Sequence, residues 1–133
     1  MKGENDIMQI YFGHSKDFDY INEYYNPIKE NKLLQKEILI FPHKNNTNNY
    51  NERAFYTNLD LFIAEVSYCA TGLGIELGWA NDDNIPIYCF YKKGTKPSSS
   101  LKSITNNIIE YNSLEELSSN IEQIVIKLNK QKI

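Results

Sequence analysis

The segment from Asp60 to Ala80 constrains the fold of this chain more than any other: a β-branched apolar run, Leu61-Phe-Ile-Ala-Glu-Val66, is followed by Gly72-Leu-Gly74 and a second apolar stretch. A short run of this kind reads as a strand covered on both faces, and the glycines turn the chain into a helix. On a 3.6-residue period that helix puts Leu73, Leu77 and Ala80 on one side and Ile75 with Trp79 on another, so that most of its surface is covered. Glu76 then falls between Gly72 and Ala80, two small neighbours that leave a carboxylate open to approach. The amides of the first helical turn favour its ionised form. Placement of a solvent-facing acid at a helix start is the competing reading. Three glycines, Gly72, Gly74 and Gly78, weaken a helix by about 1 kcal/mol each unless close backbone approach is useful, which favours a site.

Strand and helix patterns alternate through the rest of the chain. Met8 to Gly13 reads as a first strand, followed by a helix over about 17–34 that Pro27 divides near Asn26. Glu37 to Phe41 is a second strand, ended by Pro42. An Asn-rich patch, Asn45 to Asn51, reads as a surface loop, and Asn51 to Asn58 as a short helix. Ile85 to Tyr91 is a fourth strand with Pro86 near its start, where a missing donor is tolerated. A loop from Lys92 to Ser100 and a brief helix over about 99–105 lead to a fifth strand, Asn107 to Tyr111. Ser113 caps a last helix whose inner face is Leu114, Leu117, Ile121, Ile124, Val125 and Leu128. This alternation without tight hairpins predicts a doubly wound five-stranded parallel sheet flanked by helices, a flavodoxin- or Rossmann-like three-layer sandwich. No stretch is left over for a second unit, and residues 1–133 are expected to form one domain.

Composition narrows the partners. A net charge of −3 and a pI near 5.4 argue against a nucleic-acid polymer. No apolar run reaches the length of a membrane span, and the first residues lack a signal peptide's apolar core, so a cytoplasmic protein with no membrane partner is expected. Cys69 and Cys89 are the only cysteines. They are read as buried free thiols, and no metal-ligand spacing is present. No period of 20 to 50 residues repeats.

In a doubly wound sheet, ligands bind outside the carboxyl ends of the strands where strand order reverses. That rule selects Gly13 to Lys16, His43, Ser67 to Gly74 with Glu76, and Tyr91 to Ser100. Asp60 precedes its strand and becomes a structural turn residue. Glu52, after the second strand, is better placed for chemistry.

These residues resemble the nucleoside 2-deoxyribosyltransferase family, and in detail the 2′-deoxynucleoside 5′-monophosphate N-glycosidases. The likeness runs from Ile10-Tyr-Phe-Gly13 through Asp60 to Ser67 and Gly72-Leu-Gly-Ile-Glu-Leu-Gly-Trp-Ala80 to Ile85-Pro-Ile-Tyr88. The resemblance implies cleavage or transfer of an N-glycosidic bond through a deoxyribosyl-enzyme ester. Glu76 would be its nucleophile, Tyr11 would hold that carboxylate, and Glu52 would be the base-side acid, with Glu in place of the usual Asp. His43 is a second candidate for contacting the base or, equally, an exposed loop histidine; His14 is open in the same way. The resemblance also implies a 5′-phosphate contact by Ser15, with Lys16 adjacent, and a contribution of Ser100 from a partner subunit. A homodimer or higher homo-oligomer is therefore expected, with a small nucleoside or nucleotide as ligand and no cofactor. Gly13, Gly72 and Gly74 would frame the substrate. Two positions depart from the pattern: Ala70 replaces a serine, and Asp17 stands at the arginine position. Free-nucleoside transferases usually carry aspartate where Ala70 stands, and that pattern is not met either. Glu65 is read as half of a structural ion pair. A non-catalytic nucleotide sensor using the same crevice is the alternative function, and a variant acting on ribosyl substrates or NAD a third.

Overall fold

The computed structural model describes residues 7–43 and 53–131. Five parallel strands, β1 (Gln9–His14), β2 (Ile38–Ile40), β3 (Leu61–Glu65), β4 (Ile87–Lys92) and β5 (Ile108–Tyr111), form one sheet in the order β2-β1-β3-β4-β5. The order reverses between β1 and β3: the chain leaves β1 to build β2 on one side, then crosses back to β3 on the other. A crevice at that point is where such sheets bind ligands.

Side-chain alternation along β1 divides the molecule into two cores. Ile10 and Phe12 face a core closed by α1 (Asn26–Lys29), the turn before it, and α3 (Leu114–Gln131). Tyr11 faces the opposite core, closed by α2 (Thr71–Asp82) and a 3₁₀ turn over Arg53–Asn58. β3 is buried along its whole length, its apolar residues Leu61 to Ala64 together with the hydrogen-bonded Glu65. Asp60 stands at the amino-terminal end of β3 and accepts a hydrogen bond from the Gln9 amide at 2.7 Å, a turn residue as its position in the sequence implies.

Three departures from the sequence reading have local causes. The helix expected over 17–34 is a π turn (Ile21–Tyr25), one α turn and a separate 3₁₀ turn (Leu34–Lys36). Asp19 sets the late start by accepting from the Asn22 amide. Pro27, which cannot donate, lies at the junction of the π and α turns. The Asn31 side chain starts the later turn by accepting from the amides of Leu33 and Leu34. Cys89 is buried but Cys69 is exposed, because it lies in the loop between β3 and α2 and not within a strand. Glu65 pairs with no cation among the described residues. Its carboxylate accepts instead from the Ser67 amide and hydroxyl, both at 2.8 Å, and from the Tyr111 hydroxyl.

α2 buries Leu73, Leu77 and Ala80, as its period predicts. Its other side is open. Ile75 is 50 % exposed, and a Cβ placed on Gly72, Gly74 or Gly78 would meet nothing within 4 Å. Among the described residues nothing packs directly on these glycines. At the carboxyl end of α2, Arg53 reaches Asp82 at 2.8 Å and Asp83 at 2.9 Å. The guanidinium offsets two carboxylates at the negative end of the helix dipole and ties the Arg53–Asn58 turn to α2.

Candidate active site

Glu76 lies in the second turn of α2, since the helix begins at Thr71 with Ala70 as its N-cap. This position brings its partly buried carboxylate over Tyr11 in the middle of β1, and the Tyr11 hydroxyl donates to Glu76 Oε2 at 3.2 Å. A third group completes the arrangement. Tyr56, fully buried in the Arg53–Asn58 turn, donates to the Tyr11 hydroxyl at 3.2 Å. The rings of Tyr11 and Tyr56 meet edge to face at 5.2 Å, and Phe62 packs against both. Residues from β1, β3, α2 and the 3₁₀ turn thus converge at the reversal of strand order.

Burial is the main influence on Glu76 and raises its pKa from the ordinary carboxylate value to about 7; hydrogen bonding from Tyr56 and Tyr11 opposes the rise. The sequence reading, in which first-turn amides keep Glu76 ionised, is therefore corrected. The side chain sits beyond the first turn, where the dipole effect has faded, and desolvation wins. Tyr11 and Tyr56 are held above their usual pKa, in each case chiefly by burial, and remain protonated donors at neutral pH.

The other residues singled out in the sequence separate into distinct environments. Gly13 is buried, and a Cβ there would stand 2.7 Å from Phe62 and 2.9 Å from Leu73. Packing under these two side chains leaves no room for a larger residue. Ser15 is buried after β1, and its hydroxyl accepts from the Asp17 amide at 3.0 Å; Lys16 is exposed. His14 is structural. Its Nδ1 meets the Ser15 carbonyl at 2.7 Å, an acceptor only, so Nδ1 carries the proton and Nε2 accepts from the Tyr25 hydroxyl at 2.6 Å. Burial lowers its pKa to about 4, which keeps the ring neutral. His43 donates its backbone amide to the same Tyr25 hydroxyl, and its ring lies 5.0 Å from that of His14. It belongs to an aromatic cluster with Tyr20 and Tyr25 beyond the carboxyl end of β1. Glu52 and the Asn-rich patch lie outside the described residues.

Gly74 and Ser100 line a groove of about 450 Å³ between α2 and the 3₁₀ turn Ser99–Ser103. Its walls also include Leu73, Leu77, Gly78 and Leu101, while Glu76 is not among its lining residues. Within one chain, Ser100 and the Glu76 carboxylate therefore belong to different surfaces. Gly72 is exposed at the start of α2. Ala70, the N-cap, has no side-chain acceptor to offer, and its carbonyl takes the first helical amide, that of Gly74, at 3.1 Å.

Tyr56 was not singled out from the sequence. The available signal is its spacing: it stands four residues after Glu52 in the segment read as a short helix, a separation that places two side chains on one face.

Neither a family model nor a curated protein matches this chain by sequence. Solved structures do match in fold. The CMP N-glycosidase BcmB of Clostridium botulinum superposes with a TM-score of 0.64 at 15% sequence identity, covering 87% of this chain and 98% of that one. A conserved protein from Enterococcus faecalis V583 superposes with a TM-score of 0.64 at 18% identity, covering 90% and 99%. At these identities the likeness is one of fold, and the α/β three-layer architecture is shared across almost the whole length of both neighbours.

Proposed function

We propose that this protein cleaves or transfers the N-glycosidic bond of a 2′-deoxynucleoside or its 5′-monophosphate, with Glu76 as nucleophile. The observation that carries this reading is the half-buried Glu76 carboxylate, braced by Tyr11 at the crevice between β1 and β3. The fold shared with a CMP N-glycosidase supports the same bond type, as does the glycine-framed motif around Glu76.

In this mechanism the ionised carboxylate attacks the anomeric carbon as the bond to the base breaks. The bonding pair leaves with the base, which takes a proton from a donor on its side of the site, the role assigned to Glu52. The resulting ester at Glu76 is opened by water, giving hydrolysis, or by a second base, giving transfer. Tyr11 fixes one carboxylate oxygen and leaves the other for attack. Because only the ionised form attacks, the acidic limb of the activity profile falls near pH 7, and activity declines again where the base-side donor loses its proton. Ser15 and Lys16 beyond β1, and Ser100 from a second subunit of a homodimer or larger assembly, are the proposed contacts of a 5′-phosphate.

A panel of deoxynucleosides and their monophosphates, analysed by chromatography for released or exchanged base, tests the reading. Turnover of at least one substrate, abolished in Glu76→Ala, is the expected result; no base released from any of them would sink it. The second reading, a nucleotide sensor, draws on Ala70, whose methyl offers nothing to an anion at the start of α2, and on Asp17 after β1. Tight nucleotide binding without turnover, little changed in Glu76→Gln, would favour the sensor.

A further inference from the structure

The turn over Arg53–Asn58 carries a residue whose hydroxyl is buried inside the site with no packing reason to be there. Tyr56 could pack its ring between Phe62 and Trp79 equally well as a phenylalanine. Its oxygen instead meets the Tyr11 oxygen at 3.2 Å. The direction of these bonds follows from the chemistry. An ionised carboxylate only accepts, so Tyr11 commits its proton to Glu76 and has only lone pairs left for Tyr56. The Tyr56 proton therefore goes to the Tyr11 oxygen, and the two phenols, on separate elements, form a donor chain that ends on one carboxylate.

We infer that Tyr56 is a positioning residue for Glu76: by donating to the Tyr11 hydroxyl it orients that group toward Oε2 and strengthens the bond Tyr11 makes to the ionised carboxylate. This inference rests on the assignment of Glu76 as the nucleophile and adds to it the group that prepares it. Two features hold Tyr56 in place. Arg53, three residues before it, is paired with Asp82 and the C-cap Asp83, which links the turn to the helix carrying Glu76. Trp79, one turn beyond Glu76 on the same helix, packs on the Tyr56 ring at 5.4 Å. Among the described residues, the titratable groups acting on Glu76 are Tyr56 and Tyr11, with the more distant Tyr25 sensing its charge from the turn before α1. No lysine, arginine or histidine is among them. Among the described residues the phenols are what opposes desolvation, and removal of either has a readable consequence.

The experiment measures the Glu76 titration directly, by carbon-13 NMR of the side-chain carboxyl in the full chain without substrate. Tyr56→Phe is expected to move the Glu76 midpoint upward by about one pH unit, with Tyr11→Phe shifting it the same way and the double variant shifting it furthest. In the substrate assay Tyr56→Phe is expected to lower kcat about tenfold, with KM within about twofold and the acidic limb of the pH profile moved upward by the same interval. An unmoved midpoint in Tyr56→Phe, with the thermal unfolding of the variant unchanged, overturns the inference even if substrates are turned over. A midpoint that moves as stated in a protein that releases no base from any substrate leaves Tyr56 in its role and overturns the glycosidase reading instead. Matching losses of kcat in Tyr56→Phe and of folded stability, with the midpoint fixed, would make Tyr56 a packing residue only.

Discussion

Glu76 shows how one side chain is placed against its own preference. A carboxylate in water titrates near pH 4 to 4.5, whereas this one is pushed to about 7, chiefly by burial. The sign of the linked stability follows. With its folded pKa above its unfolded value, Glu76 is fully tolerated below the unfolded pKa, and stability is lost as pH rises through about 7. Replacing it with glutamine removes the buried charge while keeping the shape. Glu76→Gln is therefore expected to be inactive yet more stable than the native chain at pH 8, by up to about 3 kcal/mol, with the difference fading towards pH 5. Urea unfolding at the two pH values reads this directly; equal stability at pH 8 would mean that the carboxylate is solvated. His14 illustrates the opposite case. Two hydrogen bonds and burial hold it neutral, so a histidine beside the crevice contributes rigidity and no charge.

At the scale of elements, α2 is the least self-sufficient part of the site. It has no N-cap acceptor at Ala70, and its exposed side holds three glycines. Ala70→Ser is expected to stabilise the protein by about 1 kcal/mol through a cap to the first-turn amides, visible as a higher denaturant midpoint with unchanged slope. No gain would indicate that the loop before α2 cannot turn the hydroxyl inward. Gly13 is the opposite kind of position. A methyl there collides with Phe62 and Leu73 inside a filled core, so Gly13→Ala is expected to cost about 1–3 kcal/mol. Because Phe62 supports Tyr11, it is also expected to lower activity beyond what the stability loss explains, as kcat measured well below the unfolding transition would reveal. The periodicity of α2 predicts its buried face correctly because Leu73, Leu77 and Ala80 answer to contacts within the chain. Ile75 departs from expectation because nothing in the described chain covers it, and a hydrophobic side chain carries no label for where its partner lies. The helix after β1 departs for a different reason. Capping by Asp19 and Asn31 and the missing donor of Pro27 act through single hydrogen bonds, to which a periodic pattern is blind.

For the molecule as a whole, a parallel sheet covered on both faces follows from the alternation of strands and helices, which is why all five strands were legible in the sequence, whereas the order β2-β1-β3-β4-β5 comes from the structure alone. The site was legible in part. Glu76 was singled out by its glycine frame and Tyr11 by the family resemblance, and the structure brings them to 3.2 Å; Tyr56 was missed because its meeting with Tyr11 exists only once the turn over 53–58 packs beside β1. Ser100 and Gly74 share a groove that excludes Glu76, and the proposed completion of the site by a second subunit needs that groove face to meet another copy. Light scattering is expected to return at least a dimer. A strict monomer at assay concentration would remove Ser100 from the proposed phosphate contact.

Trp79, the sole tryptophan of the chain, packs on Tyr56 within one helical turn of Glu76. The protein thus contains its own optical probe: light at the red edge of the absorption band excites that indole alone, beside the group whose charge changes. Emission recorded against pH should trace the ionisation of the neighbouring carboxyl without label or substrate. Ligand screening could then proceed by the quenching of a single native fluorophore.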